Sequence, residues 1–130
     1  MTASTADRPF FTTFVTCWVP VALYVTAILV VSAQSGLRPP PGLMLSDKFY
    51  HFVEYGGLGL LLGRALRATL RTRLPIVAAL IAIAIGGAMG LADEWFQSFV
   101  PGRDSSLFDA LADVTGVLFA QIAYMFAVRE

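Results

Sequence analysis

Four apolar stretches, at residues 10–31, 46–66, 75–99 and 106–128, each approach the roughly 20 residues a helix needs to cross the hydrocarbon core of a bilayer. No other feature limits the possible folds so strongly. Only 14% of the 130 residues are charged, against about 25% in a soluble domain, and the mean hydropathy is +0.71. The expectation is one all-α domain over 1–130, an integral membrane bundle of four transmembrane helices. Soluble domains and glycan-binding sheets are excluded by the same composition. Zero net charge and a pI near 6.6 leave no basic footprint for nucleic acid.

The first span contains Pro20, a site for a kink. Val31-Ser32-Ala33 has the look of a signal-peptidase site, but the apolar run exceeds the roughly 7–15 residues of a signal core and its basic flank is only Arg8, which favours an uncleaved anchor. Cys17 lies within this run and reads as a small buried hydrophobe. After it, Gly36 and Pro39-Pro40-Pro41-Gly42 favour an extended polyproline linker. The second span opens at Ser46 or Asp47, either a suitable N-cap. Pro75 suits the first turn of the third, Pro101-Gly102 makes a turn, and Ser106-Leu107-Phe108-Asp109 has the form of a capping box for the fourth.

Translocating Lys and Arg is disfavoured. Arg8, the connector residues Arg64, Arg67, Arg71 and Arg73, and Arg129 fall on one side of a four-span topology, while only Arg38, Lys48 and Arg103 fall on the other. Both termini are therefore expected in the cytoplasm. Asp47, Lys48, His51, Glu54, Asp93, Glu94, Gln97, Arg103, Asp104, Asp109 and Asp113 then share one depth near the outer face, and of the nine acids only Asp7 and Glu130 lie elsewhere.

At about 100° per residue, Asp47, His51 and Glu54 share one stripe of their helix. Asp93 and Gln97 stack above Gly86 and Gly90, and Asp109 and Asp113 above Gly116 and Ala120; small residues at four-residue spacing let helices approach closely. The acidic faces are thus expected to be the packing faces, with Ala79 and Ala82 off them. Lipid-facing carboxylates would be costly, so these must pair, protonate or meet water. Seven acids against Lys48, His51 and Arg103 leave surplus negative charge, which invites protonation or a bound cation.

Simpler roles compete at each position. Asp47 and Asp109 can be helix caps, Arg103 a structural bridge, Lys48 a side chain snorkelling to the interface, Trp95 and Phe96 interfacial anchors, and the four-Arg connector a topology signal. His51, Glu54, Glu94 and Asp113 lie further from helix ends, where capping explains none of them; they are functional candidates, with a register-fixing polar network as the alternative.

The stretches Ser32-Ala33-Gln34-Ser35, Asp47 to Tyr55 (DKFYHFVEY) and Asp93 to Asp109 (DEWFQSFVPGRDSSLFD), continuing to Asp113 and Gly116, resemble the VanZ-like family of small membrane proteins. The motifs touch all four helices. Asp113 stands where the family pattern often has Asn, which adds an acid. The resemblance implies a multi-pass protein of the bacterial cytoplasmic membrane, linked in some members to tolerance of glycopeptides such as teicoplanin, which bind cell-wall precursors.

Three function classes follow. In the first, an outward-facing pocket lined by Asp47, Lys48, His51, Glu54, Tyr55, Asp93, Glu94, Gln97, Arg103, Ser105, Asp109 and Asp113 binds the head group of an envelope lipid or cell-wall precursor. In the second, His51, Glu54, Glu94 and Asp113 serve an outer-leaflet hydrolase or transferase as acid, base or ligands of Mg²⁺, Mn²⁺ or Ca²⁺. A proton or ion path ranks last, since Ile76 to Ile85 and Val117 to Val128 are almost wholly apolar.

Overall fold

A computed structural model describes residues 9–36, 44–71 and 74–128. Four α-helices occupy them: α1 Phe10–Ser32, α2 Met44–Leu70, α3 Pro75–Gln97 and α4 Leu107–Ala127. No strand occurs among the described residues. The polyproline stretch 39–42 and the flanking Arg8, Arg38, Arg73 and Arg129 lie outside them.

Three helices, α1, α3 and α4, are long and apolar enough to cross a membrane, with best-window mean hydropathies of 2.3, 2.2 and 1.5. The exception is α2, where Asp47, Lys48, His51 and Glu54 enter one end, Arg64 and Arg67 the other, and four glycines dilute the middle. Its position accounts for that composition. It packs most extensively on α4 and also against α1 and α3, whereas α1 barely meets α3. Its buried face, Tyr55, Leu58, Leu62, Ala65 and Leu66, joins Cys17, Val21 and Ile28 of α1, Ala78 and Ala82 of α3 and Val117 of α4 in one core. The opposite side of α2 exposes Phe49, Val53 and Leu60.

Between the ends of the bundle the exterior is mainly apolar, with Leu23, Leu80 and Phe119 each more than half exposed. Polar side chains are turned inward: Ser32, Asp93, Glu94, Gln97, Asp109, Asp113 and Gln121 are all buried. This arrangement suits a solvent of lipid tails, in which apolar surface costs nothing and charges must be hidden.

Small residues set the helix separations. A Cβ on Gly116 would collide with the Phe52 carbonyl oxygen, so α2 and α4 touch backbone to backbone there. A Cβ on Gly86 would lie 2.6 Å from Val117 Cγ2, and one on Gly90 would lie 2.9 Å from Asp113 Cβ. Ala79 and Ala82, expected off this face, are buried as well. They continue the stripe of Gly86, Gly90, Asp93 and Gln97 downward at spacings of three and four, so the packing face runs the whole length of α3.

The start of α2 differs from expectation, while Pro75 and the Pro101-Gly102 turn act as expected. α2 begins at Met44, which places Asp47 inside its first turn, where the helix dipole favours an acid; Asp47 is therefore not the N-cap. α1 runs on through Pro20, and Pro75 opens α3. The 100–103 turn closes with Arg103 N–H donating to the Val100 carbonyl at 3.1 Å, and Gly102 at φ 81° supplies the left-handed position.

Candidate functional site

The polar side chains meet at the end of the bundle where α1 and α3 finish and α2 and α4 begin. Two neighbouring networks form there. On the α1–α3 side, Ser32 Oγ donates to Asp93 Oδ2 at 2.9 Å, and Gln97 Nε2 donates to the same oxygen at 3.0 Å and to Ser32 Oγ at 3.3 Å. Arg103 closes this side by donating to the last carbonyls of α1, Val31 at 3.2 Å and Ser32 at 3.5 Å. A cation at a helix C-terminus satisfies carbonyls that have no partner within the helix.

On the α2–α4 side, residues three apart on one helix face residues four apart on the other. Lys48 Nζ meets Asp109 Oδ1 and His51 Nδ1 meets Asp113 Oδ1, each at 2.9 Å. Asp109 is thus the partner of Lys48, and the capping box expected at Ser106 does not form: the Ser106 side chain makes no cap bond. Glu94 of α3 takes over part of that task, its Oε2 accepting the Ser106 N–H at 2.7 Å.

Several buried polar atoms find no partner among the described residues: Asp93 Oδ1, Glu94 Oε1, Asp113 Oδ2 and the Tyr55 hydroxyl. The Tyr55 ring is completely buried, and its hydroxyl lies within electrostatic reach of Asp93, Asp113, Glu54 and Glu94. Glu54 lies in the fields of His51, Asp93, Asp113 and Arg103, while its backbone oxygen accepts the Tyr24 hydroxyl at 2.9 Å. One ligand atom each from His51, Glu94 and Asp113 lie within 4.8 Å of one another, as do those from Asp47, His51 and Asp109. Glu54, considered a metal ligand from the sequence, belongs to neither group.

Not every expected residue enters the centre. Asp104 and Ser105 are exposed, Asp47 is half-buried at the mouth, and Trp95 and Phe96 point outward, as interfacial anchors do. Sequence reasoning left Ser32 out of the site list, although it bridges α1 to Asp93. Its sequence signals, a hydroxyl at the end of an apolar run and a place at the head of the Ser32-Ala33-Gln34-Ser35 stretch, do not name Asp93 as its partner. Gln121, deeper in α4, donates to the Gly59 carbonyl at 2.6 Å and is likewise a polar residue within an apolar stretch.

The VanZ/LLP1 family profile matches residues 6–128, nearly the whole chain and every residue of both networks. The chain belongs to the VanZ/LLP1 family. No curated protein and no solved structure matches it. With family membership and three apolar spanning helices, this VanZ/LLP1 chain is a multi-pass membrane protein whose natural surroundings are lipid. Chemically, its polar end offers acceptor oxygens in excess of donors and an imidazole oriented by a fully buried carboxylate.

Proposed function

We propose that this protein binds the head group of an envelope lipid or cell-wall precursor in the outer half of its bundle. The observation that carries the reading is the set of unpartnered carboxylate oxygens on Asp93, Glu94 and Asp113, all three side chains buried. Leaving a buried acceptor unmet costs about 1–3 kcal/mol, and the hydroxyls of a sugar-bearing head group would supply donors. In this reading α2 is the fourth transmembrane helix, its charges sheltered by the other three and its Phe49, Val53 and Leu60 side turned to lipid. The Arg-rich α2–α3 connector supports a topology with both termini in the cytoplasm and the polar end at the outer leaflet of the bacterial cytoplasmic membrane. Sequestering a wall precursor there would alter tolerance to glycopeptides that bind the same precursors, teicoplanin among them.

The test is extraction of the chain in mild detergent, followed by mass spectrometry of the amphiphile it retains. Wild type should carry a lipid that Asp113→Asn and Glu94→Gln lose while remaining folded. Equal retention by all three proteins would remove the site from the function.

The His51–Asp113 pair favours a second reading, a hydrolase or transferase acting on the same lipid. A carboxylate that holds one imidazole nitrogen fixes the tautomer and leaves the other nitrogen for proton transfer. Conversion of a labelled envelope lipid by purified protein would select this reading over simple binding.

A further inference from the structure

Donors and acceptors fail to balance sharply at two side chains facing His51. Asp113 is fully buried and Glu94 is 5% exposed, yet each keeps one oxygen without a partner. The second oxygen of Asp113 engages His51, and that of Glu94 engages the Ser106 amide. Asp113 is seated against Gly90, where a Cβ would lie 2.9 Å from its unpartnered Oδ2, and Gly90 is one turn before Glu94 on the same face of α3. One ligand atom each from His51, Glu94 and Asp113 lie no more than 4.8 Å apart, and both carboxylates still have an oxygen without a partner.

We propose that His51, Glu94 and Asp113 form a divalent-cation site, and that the ion, rather than Lys48 or Arg103, receives the phosphate of a head group. The second half of this proposal rests on the head-group reading; the first does not. Adjacent ligands of an ion with bonds of about 2.1 Å stand about 3 Å apart; the hydrogen bond between His51 Nδ1 and Asp113 Oδ1 holds them 2.9 Å apart, and the ion would take the place of the shared proton, which is released to solvent. One nitrogen with two carboxylates suits Mn²⁺ or Zn²⁺ better than Ca²⁺, which prefers six to eight oxygens. Three protein ligands leave coordination positions open for water or a phosphate oxygen.

Charge explains why an ion is needed for phosphate. Lys48 is committed to Asp109, and Arg103 to the carbonyls of Val31 and Ser32. The acids around them would repel a bare phosphate. A divalent cation neutralises the Glu94 and Asp113 carboxylates and turns the same centre into a phosphate acceptor.

The full chain in detergent micelles is titrated with Mn²⁺, read by loss of the free-ion paramagnetic resonance signal, and with Zn²⁺ by calorimetry. One ion per chain is expected, with affinity at least tenfold weaker in Glu94→Gln and Asp113→Asn and unchanged in Asp104→Asn. His51→Gln reads the same site should either carboxylate variant fail to fold, as judged by elution and thermal unfolding. Binding of neither ion to folded wild type, or unchanged affinity in the triad variants, overturns the site. Farnesyl phosphate should then bind at least tenfold more tightly with Mn²⁺ than with EDTA. Equal binding under both conditions overturns the role of the ion and leaves the head-group reading standing. Ion binding with no uptake of farnesyl phosphate sinks the head-group reading and leaves the ion site. Displacement by inorganic phosphate at equal concentration would mean that the ion takes free phosphate, and would overturn the lipid half.

Discussion

Glu94 Oε2 accepts the backbone N–H of Ser106 at 2.7 Å, so an acid of α3 serves the first turn of α4 across the intervening turn. The same side chain holds its other oxygen in the polar centre without a partner. One residue thus has a structural half and a functional half, and substitutions can separate them. Glu94→Gln keeps an oxygen that can accept the Ser106 amide and should stay within about 0.5 kcal/mol of wild type. Glu94→Ala removes the acceptor and should cost about 1 kcal/mol. Detergent unfolding curves check this; equal stability of the two variants would contradict a capping role.

The packing stripe on α3 predicts a graded response to bulk. Leu at Gly86, Gly90 or Gly116 must displace Val117, Asp113 or the backbone of α2, and overpacking of this kind costs about 1–3 kcal/mol or more. Leu at Ala84 or Ala88, both exposed, should leave folded yield near wild type. Comparable yields for both groups would mean that the helices are not closely packed on these faces.

Orientation is open to labelling with an impermeant thiol reagent once Cys17 is replaced. Cysteines at the exposed positions Gln34 and Asp104 should react from outside intact cells, and one at Leu74 only after permeabilisation. Because Gln34 and Leu74 flank α2, opposite reactivity also demonstrates that α2 crosses. Reaction of Leu74→Cys from outside would turn the polar end to the cytoplasm.

In cells, Asp113→Asn should abolish any shift in teicoplanin tolerance that expression of the wild-type chain produces, with membrane level and thermal stability retained. Asp104→Asn, at an exposed position, should behave as wild type. Full activity of Asp113→Asn, Glu94→Gln and Glu54→Gln together would place the working part elsewhere.

The four helices and the inward turn of the acids were legible because both follow from local spacing: apolar runs of spanning length, and small residues stacked beneath acids. The extent of the stripe was legible too and was misjudged, since Ala79 and Ala82 stand seven and four residues before Gly86 and so share its face. What local spacing cannot supply is pairing across helices. Asp109 reads as a cap within its own segment, and only the placement of α2 beside α4 reveals Lys48 as its partner. Ser32 is similar: the Ser32-Ala33-Gln34-Ser35 stretch marks it without revealing its partner, and Asp93 reaches it from 61 residues away.

The partnership of α2 with α4 also bears on how the chain is made. Synthesis runs from the N-terminus, so α2 leaves the ribosome before α4, whose Asp109 and Asp113 pair with it. Until α4 arrives with Asp109 and Asp113, Lys48 and His51 have no carboxylates from that side, and the least apolar helix of the bundle has lost its most extensive neighbour. If α2 crosses the membrane, as proposed, its full shelter there awaits α4. A chain truncated after α3 would leave Lys48 and His51 without Asp109 and Asp113 and would strip α3 of its own main neighbour, so α4 acts as the keystone for both.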